Sequence, residues 1–411
     1  MIVKYIDPGT GSMLFTILIG VLSAGVYAAR NAIVNARFLL SGGREKGSDE
    51  THSIVILSES RRYWNVFEPI CDEFERRGKP LLFYTGSPDD PALKKTYEHV
   101  KCEFIGEENR GFAKMNLLKA DIVLATTPEL DVYQWKRSRD VKWYAHITHA
   151  VGDITLYRMF GTDYYDALLL NGALLADQAR KLEEARGLPA KELILTGSTY
   201  MDNLTCQIGA SENRHVRGDI PTVLLAPSWG ESSIFNLYGG SIIEKLLDTG
   251  YHIIVRPHPQ SFVSEADLIS QIMSDFPSSD QLEWNRDNNN FEVLERSDIL
   301  ISDYSSVVFD FALGFDRPII YTEPNLDLAP YDACWLDETT WTLTRLPMIG
   351  QKLEIDEQDL KELIDDCLEN PRFQQGRDRV RSECWCHPGE AASRVVDYLL
   401  EKSRALQAGP N

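Results

Sequence analysis

Positive charge is scarce in this sequence. It has 42 lysines and arginines against 62 aspartates and glutamates, a formal net charge of -20 over 411 residues. Such a surface has no general attraction for nucleic-acid phosphate or for anionic lipid headgroups. An anionic ligand must therefore be held by local, focused positive groups. A disulfide framework is also missing. The cysteines Cys71, Cys102, Cys206, Cys334, Cys367, Cys384 and Cys386 are scattered and odd in number, which fits a reducing compartment. Cys384, Cys386 and His387 crowd together, but no second Cys/His pair at structural-zinc spacing accompanies them. They read as ordinary thiols near a helix start. The chain lacks Gly-x-x-x-x-Gly-Lys-Ser/Thr, a Gly-x-Gly-x-x-Gly after its first strands, and Gly-x-Ser-x-Gly. Those absences remove the P-loop, the dinucleotide fingerprint and the hydrolase elbow. No paired-carboxylate metal motif is present, and Asp89-Asp90, in a Pro-flanked turn, reads as solvated surface. No protein-bound metal and no cofactor are expected. Internal repeats and low-complexity tracts are absent too.

What is present is an ordinary globular composition, 43% hydrophobic and 25% charged, at a length that suggests two domains plus extras. No charged residue occurs from Gly11 to Ala29, an apolar run of about the length that spans a bilayer. Arg30, Arg37, Arg44 and Lys46 follow it, which would leave the rest of the chain on the cytoplasmic side of the cell's inner membrane. A signal peptide would carry its positive charge before the run, where only Lys4 stands in that role. A buried helix of a soluble domain is the other alternative. The expectation is a membrane anchor and linker over residues 1–52.

Beyond the linker, short continuous apolar runs alternate with helical patterns. Strands are predicted at 53–58, 80–84, 102–105, 121–125, 142–147, 166–170 and 192–195, with helices near 64–77 and 173–186. Continuous apolar runs of this length suit strands buried on both faces. A polar Gly- and Pro-containing stretch at 209–221 breaks the series. Strands resume at 222–226, 252–256, 298–302 and 318–321, with helices at 239–249 and 307–313. The last helix, about 390–406, has apolar Ala391, Val395, Leu399 and Leu406 at packing intervals. Alternation of this kind predicts an α/β fold of two Rossmann-like, doubly wound parallel sheets. The expected units are residues 53–213 and 214–411 in a GT-B-like arrangement, with ligands in the cleft at the strand C-termini.

Three turns in the second half each follow an apolar strand: Ala226-Pro227-Ser228-Trp229-Gly230, Arg256-Pro257-His258-Pro259, and Ser302-Asp303-Tyr304-Ser305-Ser306. All should converge on one sheet edge. Phosphate needs hydroxyls, cations and free N–H groups there. Ser228, Arg256, His258, Ser305 and Ser306 are the candidate donors. His258 is stiffened by a proline on each side. One of the two serines is expected to cap the helix that follows. Asp303 would accept either from a ligand hydroxyl or from loop N–H groups. In the first half, His146 and His149 surround the end of the strand 142–147. Position after the strand puts His149 ahead of His146 as a proton acceptor, His146 being the better core histidine. Asp153 would orient the imidazole or cap the next turn.

These residues resemble the C-terminal half of the CDP-glycerol glycerophosphotransferase family. Ala226-Pro-Ser-Trp229, Arg256-Pro-His-Pro259, Ser302-Asp-Tyr-Ser-Ser-Val-Val-Phe-Asp-Phe-Ala312 and the ending Gly389-Glu-Ala-Ala-Ser-Arg394 carry the likeness. It is good over residues 221–400 and looser over 53–213. The resemblance implies a GT-B fold that moves glycerol phosphate from the donor CDP-glycerol to a hydroxyl of a lipid-linked acceptor, releasing CMP, as in teichoic-acid synthesis. His258, Ser305 and Ser306 would then hold the donor pyrophosphate, with Asp303 in the same pocket. The family's first-half histidine, in a Trp-His-Gly context, would be the base; the nearest match here is Thr148-His149-Ala150. Two rival readings keep the fold. One is a glycosyltransferase or CDP-ribitol-type transferase using another nucleotide. The other is a catalytically silent, membrane-bound nucleotide-binding or scaffold protein.

Overall fold

The computed structural model describes residues 51–409 apart from 213, 214, 288, 289, 304, 324, 325, 356 and 357. The apolar run at 11–29, expected to be an anchor, lies outside the described residues. Among the described residues no helix is long and apolar enough to cross a membrane.

Two parallel sheets organise the chain. The first contains β1 (His52–Ser58), β2 (Leu81–Thr85), β3 (Val100–Phe104), β4 (Ala120–Ala125), β5 (Val141–Ile147), β6 (Ala167–Leu170) and β7 (Glu192–Leu195), in the order β3-β2-β1-β4-β5-β6-β7. The second contains β8 (Thr222–Leu225), β9 (His252–Val255), β10 (Leu282–Trp284), β11 (Ile299–Ser302), β12 (Ile319–Tyr321) and β13 (Gly350–Lys352), in the order β10-β9-β8-β11-β12-β13. Each order reverses once, between β1 and β4 and between β8 and β11. Such a switch point opens a crevice at the strand C-termini, because the flanking connections leave on opposite faces.

Burial on both faces explains why the strands read as unbroken apolar runs. Along β1, Ile54 and Ile56 enter one core while Val55 and Leu57 enter the core on the opposite face. In β11, Leu300 faces one core and Ile299 and Ile301 the other. The predicted strands all form. β10 and β13 are additional: three-residue edge strands, Leu-Glu-Trp and Gly-Gln-Lys, too short and polar to stand out by hydropathy. One reading is corrected. Asp90 is not solvated surface but fully buried, because its carboxylate accepts from Thr85 Oγ1 at 2.6 Å and from Ala92 N at 3.0 Å, capping a short turn. The cysteines are free, and Cys384 is buried in a hydrophobic core.

The chain also returns on itself, which a linear boundary leaves out. Helix Gln374–Cys384 packs on the second sheet, but the last helix, Ala391–Ala408, crosses to the first. There Val395, Val396 and Leu399 share a core with Ile54, Ile122 and Ala145. Asp202 holds the crossover by accepting from Gly389 N at 2.8 Å, Ala391 N at 3.0 Å and Trp385 Nε1 at 3.0 Å. A carboxylate at that helix start also meets the positive end of its dipole. Gly197 must be glycine here: its φ is +86°, and a Cβ would meet Cys386 O at 2.4 Å. A second tie is the buried Arg186, which bridges Asp163 at 2.8 Å and Asp332 at 2.6 Å.

Burying Leu399 between last helix and first sheet contributes much of this attachment. Leu399→Ala should lower unfolding free energy by about 2–5 kcal/mol, the usual cost of a cavity at a fully buried leucine. Urea denaturation of the two proteins checks this; a loss below about 0.5 kcal/mol would mean the helix is not part of the first unit's core.

Candidate active site

In the second unit the three turns singled out in the sequence do converge. β8 and β11 flank the switch point, and Asp303, just after β11, spans it. Its wholly buried carboxylate accepts from Ser228 N at 2.9 and 3.1 Å and from Ile234 N at 3.4 Å. Burial pushes its pKa up, while the Ser228 hydroxyl beside it and the backbone N–H groups of Ser228, Ile234 and Ser305 pull it back. Of the two roles open to it, binding loop N–H groups is the one these contacts fill. The Ser228 hydroxyl, beside the same carboxylate, meets no partner at good hydrogen-bond geometry among the described residues. Ser302 Oγ donates to Ala226 O at 2.5 Å and adds a second stitch between the two turns.

The turn after β9 joins them through Glu265, which accepts from Gly230 N at 2.7 Å and Asn236 Nδ2 at 2.6 Å. His258 is half-buried, and its Nδ1 accepts from Gln260 N at 3.1 Å. Burial, then the charge of Arg62, lowers its pKa against an opposing pull from Glu265. An occupied Nδ1 lone pair puts the proton of the neutral ring on Nε2. His258 thus presents an N–H donor. Arg256 follows β9 directly. Its guanidinium is engaged by Asn285 Oδ1 and by Asp287 O, the latter at 2.6 Å, so it braces the loop after β10. Ser305 is half-buried and Ser306 exposed, just ahead of the helical turn Val307–Phe309, which continues as π-helix over Asp310–Gly314. Of the two serines, one of which was expected to cap this turn, Ser306 occupies the cap position but makes no side-chain cap bond. Its φ of -59° and ψ of -19° are already helical, which leaves the hydroxyl unable to turn back to the N–H groups as an extended cap does.

The first unit supplies the other histidine. His146 is fully buried beside Tyr165, with ring centres 5.0 Å apart, and its Nε2 lies 3.3 Å from Tyr157 Oη. Desolvation drives its pKa down to about 3. It is a core histidine. His149 is half-buried where β5 has ended, with Nδ1 3.1 Å from Thr126 Oγ1 and its ring 5.0 Å from that of Tyr63. Desolvation first, and then Arg62, push its pKa down to about 4. A ring held neutral at physiological pH is free to accept a proton. Asp153 does not reach it: the carboxylate accepts from Thr155 N at 3.0 Å and caps a short turn. The residues around His149 are fixed by Asn171, which donates to Ala150 O at 2.9 Å and accepts from Thr148 Oγ1 at 2.6 Å. Two residues past His149, Val151 is fully buried in the second unit's core with Leu224, Ala226 and Val308. The His149 loop is therefore seated against the half of the molecule that carries Ser228, His258 and the serines.

The turn after β1 also belongs to this site, and the sequence reading passed over it. Glu59, Arg62 and Tyr63 leave the strand at the first sheet's switch point. Glu59 has its pKa raised by burial, held back by Arg62 and by hydrogen bonds from Thr127 and Tyr63. The charge of Arg62 lowers the pKa of both His149 and His258. The same strand-exit rule that found His149 would have found this turn. Among the described residues no three His, Cys, Asp or Glu side chains gather as a metal set.

The sequence model described as CDP-Glycerol:Poly(glycerophosphate) glycerophosphotransferase matches residues 178–401. No curated protein sequence matches the chain. Among solved structures, the wall teichoic acid polymerase TagF soaked with CDPG superposes with a TM-score of 0.56 at 16% identity, covering 94% of this chain and 99% of that one. UDP-GlcNAc 2-epimerase from Methanocaldococcus jannaschii gives 0.53 at 12% identity, covering 86% and 100%. A glycosyltransferase from Rickettsia africae ESF-5 gives 0.51 at 11%, covering 88% and 100%. At these identities the likeness is one of fold: two facing Rossmann-like units.

The electrostatics of His149 are directly measurable. In a histidine-labelled NMR titration, with His149→Gln to assign the signal, its ring should titrate near pH 4. A midpoint near the ordinary 6.5 would mean that the ring is solvated and the site open to water.

Proposed function

This chain belongs to the CDP-glycerol:poly(glycerophosphate) glycerophosphotransferase family, and we propose that it transfers glycerol phosphate from CDP-glycerol to an acceptor hydroxyl, releasing CMP. The observation that carries this reading is the seating of the His149 loop, through Val151, in the core beneath the Ser228 and Ser305 turns. A proton acceptor from one unit then faces phosphate-binding donors from the other.

In this reading the second unit holds the nucleotide. His258 Nε2–H and the Ser305 and Ser306 hydroxyls donate to the pyrophosphate oxygens. Ser228 lines the same turn, Asp303 fixes the turns in place, and Arg256 braces the neighbouring loop. The acceptor oxygen attacks the phosphorus that bears glycerol. A new P–O bond forms to the acceptor as the bond to the bridging pyrophosphate oxygen breaks. That oxygen leaves with its electron pair as part of CMP, and the acceptor's proton passes to His149. Phosphoryl transfer depends mainly on positioning and on charge stabilisation, which suits donors pre-aimed by buried hydrogen bonds. Arg62 is placed to offset charge on the departing nucleotide from the acceptor side.

The setting is part of the proposal. The apolar run at 11–29 would hold the enzyme at the inner membrane with both units in the cytoplasm, where a lipid-linked acceptor is presented. The fold shared with a wall teichoic acid polymerase supports a role in making a cell-surface polymer.

CMP release and thermal-shift binding with CDP-glycerol, CDP-ribitol and UDP-sugars test this. His149→Ala should lower CMP release by about 10²–10⁴-fold while CDP-glycerol still binds. His258→Ala should weaken CDP-glycerol binding about tenfold, the worth of one good hydrogen bond to a charged group. A response to UDP-sugars alone would move the protein to the glycosyltransferases, and no nucleotide response would leave a silent scaffold.

A further inference from the structure

A cavity of about 670 Å³ opens in the first unit at the C-terminal ends of β1, β2 and β3. Glu59 and Arg62 reach it from the turn after β1, Ser87 from the turn after β2, and Asn109 from the helix after β3, with Phe112 and Gln134 completing the wall. The site is built from backbone brought unusually close. A Cβ on Gly86 would meet Glu59 O at 2.6 Å, and one on Gly111 would meet Gly106 O at 2.7 Å. The Phe112 ring is held by stacking on Trp135, 6.1 Å away at 13°.

One wall of the cavity, the turn after β1, also packs against the ring of His149. Arg62 Cζ lies 5.6 Å above the Tyr63 ring, whose centre is 5.0 Å from that of His149. The turn that lines the cavity thus borders the proton acceptor. The chemistry of the lining restricts what ligand the cavity takes. Among the described lining residues Arg62 is the only cation, against the carboxylates Glu59, Glu107 and Glu108. Ionised carboxylates only accept hydrogen bonds. A sugar hydroxyl can donate to them, whereas a phosphodiester has no proton to give and is repelled. The carboxamides of Asn109 and Gln134, the Ser87 hydroxyl and the ring of Phe112 complete a lining suited to polar, uncharged ligands with an apolar face.

We propose that this cavity is the acceptor site, and that it takes an uncharged, hydroxyl-rich glycan in preference to a polyanionic polyol-phosphate chain. The assignment to an acceptor rests on the transferase reading above. It makes the protein an enzyme that starts a phosphate-bearing chain on a neutral sugar.

Isothermal titration of the full-length protein in a sugar-free detergent, without nucleotide, tests the cavity directly. The probes are alkyl maltoside, lactoside and chitobioside, compared with a glycerol phosphate trimer. At least one glycoside should bind about tenfold tighter than the trimer, Asn109→Ala should weaken it about tenfold, and the exposed Glu107→Lys should narrow the preference by strengthening the trimer. Trimer binding equal to or tighter than every glycoside, no glycoside binding, or indifference to both substitutions would overturn the proposal. CDP-glycerol titrated separately should bind wild type and Asn109→Ala alike. Its failure to bind either would remove the donor reading while leaving the glycan result to decide the cavity's preference.

Discussion

Asp303 is a wholly buried carboxylate that accepts from backbone N–H groups across the strand-order reversal, and the arrangement of the turns depends on it. A charge so buried is tolerated only when fully hydrogen-bonded. Here the donors are Ser228 N and Ile234 N, in the segment after β8, while Asp303 itself follows β11. Satisfying the carboxylate therefore locks together the two turns on either side of the strand-order reversal. Ser228, Ser305 and Ser306 inherit their positions from that lock. Through Glu265, the turn bearing His258 is tied to the same frame. In the second unit the turns around the switch point are held together by the need to keep one buried carboxylate satisfied.

The first unit meets this frame by packing. Val151 enters the second unit's core two residues past His149, and Asn171 fixes the loop between. Asp310, in the helix that follows the two serines, accepts from Tyr200 Oη at 2.8 Å, and burial pushes its pKa up to about 7. Arg186 and the last helix add attachments away from the cleft. The two histidines differ in their surroundings. His258 has its Nδ1 lone pair occupied and offers a proton to hydrogen-bond. His149 is kept neutral by desolvation and by Arg62 and is able to accept one.

Much of this was legible in the sequence, for a physical reason. Parallel strands buried on both faces must be continuously apolar, so all the long strands stood out, and the turns after them marked the cleft. β10 and β13 did not, being short, polar edge strands. The role of Asp303 was undecidable because its donors lie 75 and 69 residues away, a distance no local pattern spans. Asp90 was misread for a similar reason: its acidic Pro-flanked turn looks solvated until Thr85 is seen folded beneath it. Arg256 reads as a phosphate ligand by type, and its bonds to Asn285 and Asp287 lie too far along the chain for a local pattern to show. Glu59 and Arg62 were legible only by position, in the turn that leaves β1.

The central claim is that a nucleotide donor lies on the second unit's turns with its reacting phosphorus turned toward His149. A crystal structure of the His149→Ala protein with CDP-glycerol tests it most directly. The account predicts pyrophosphate oxygens within hydrogen-bond distance of His258 Nε2 and of the Ser305 or Ser306 hydroxyl, with the glycerol-bearing phosphorus facing the vacated imidazole position. Nucleotide bound instead in the cavity beside Asn109 and Phe112, or with its pyrophosphate remote from His258, would contradict it.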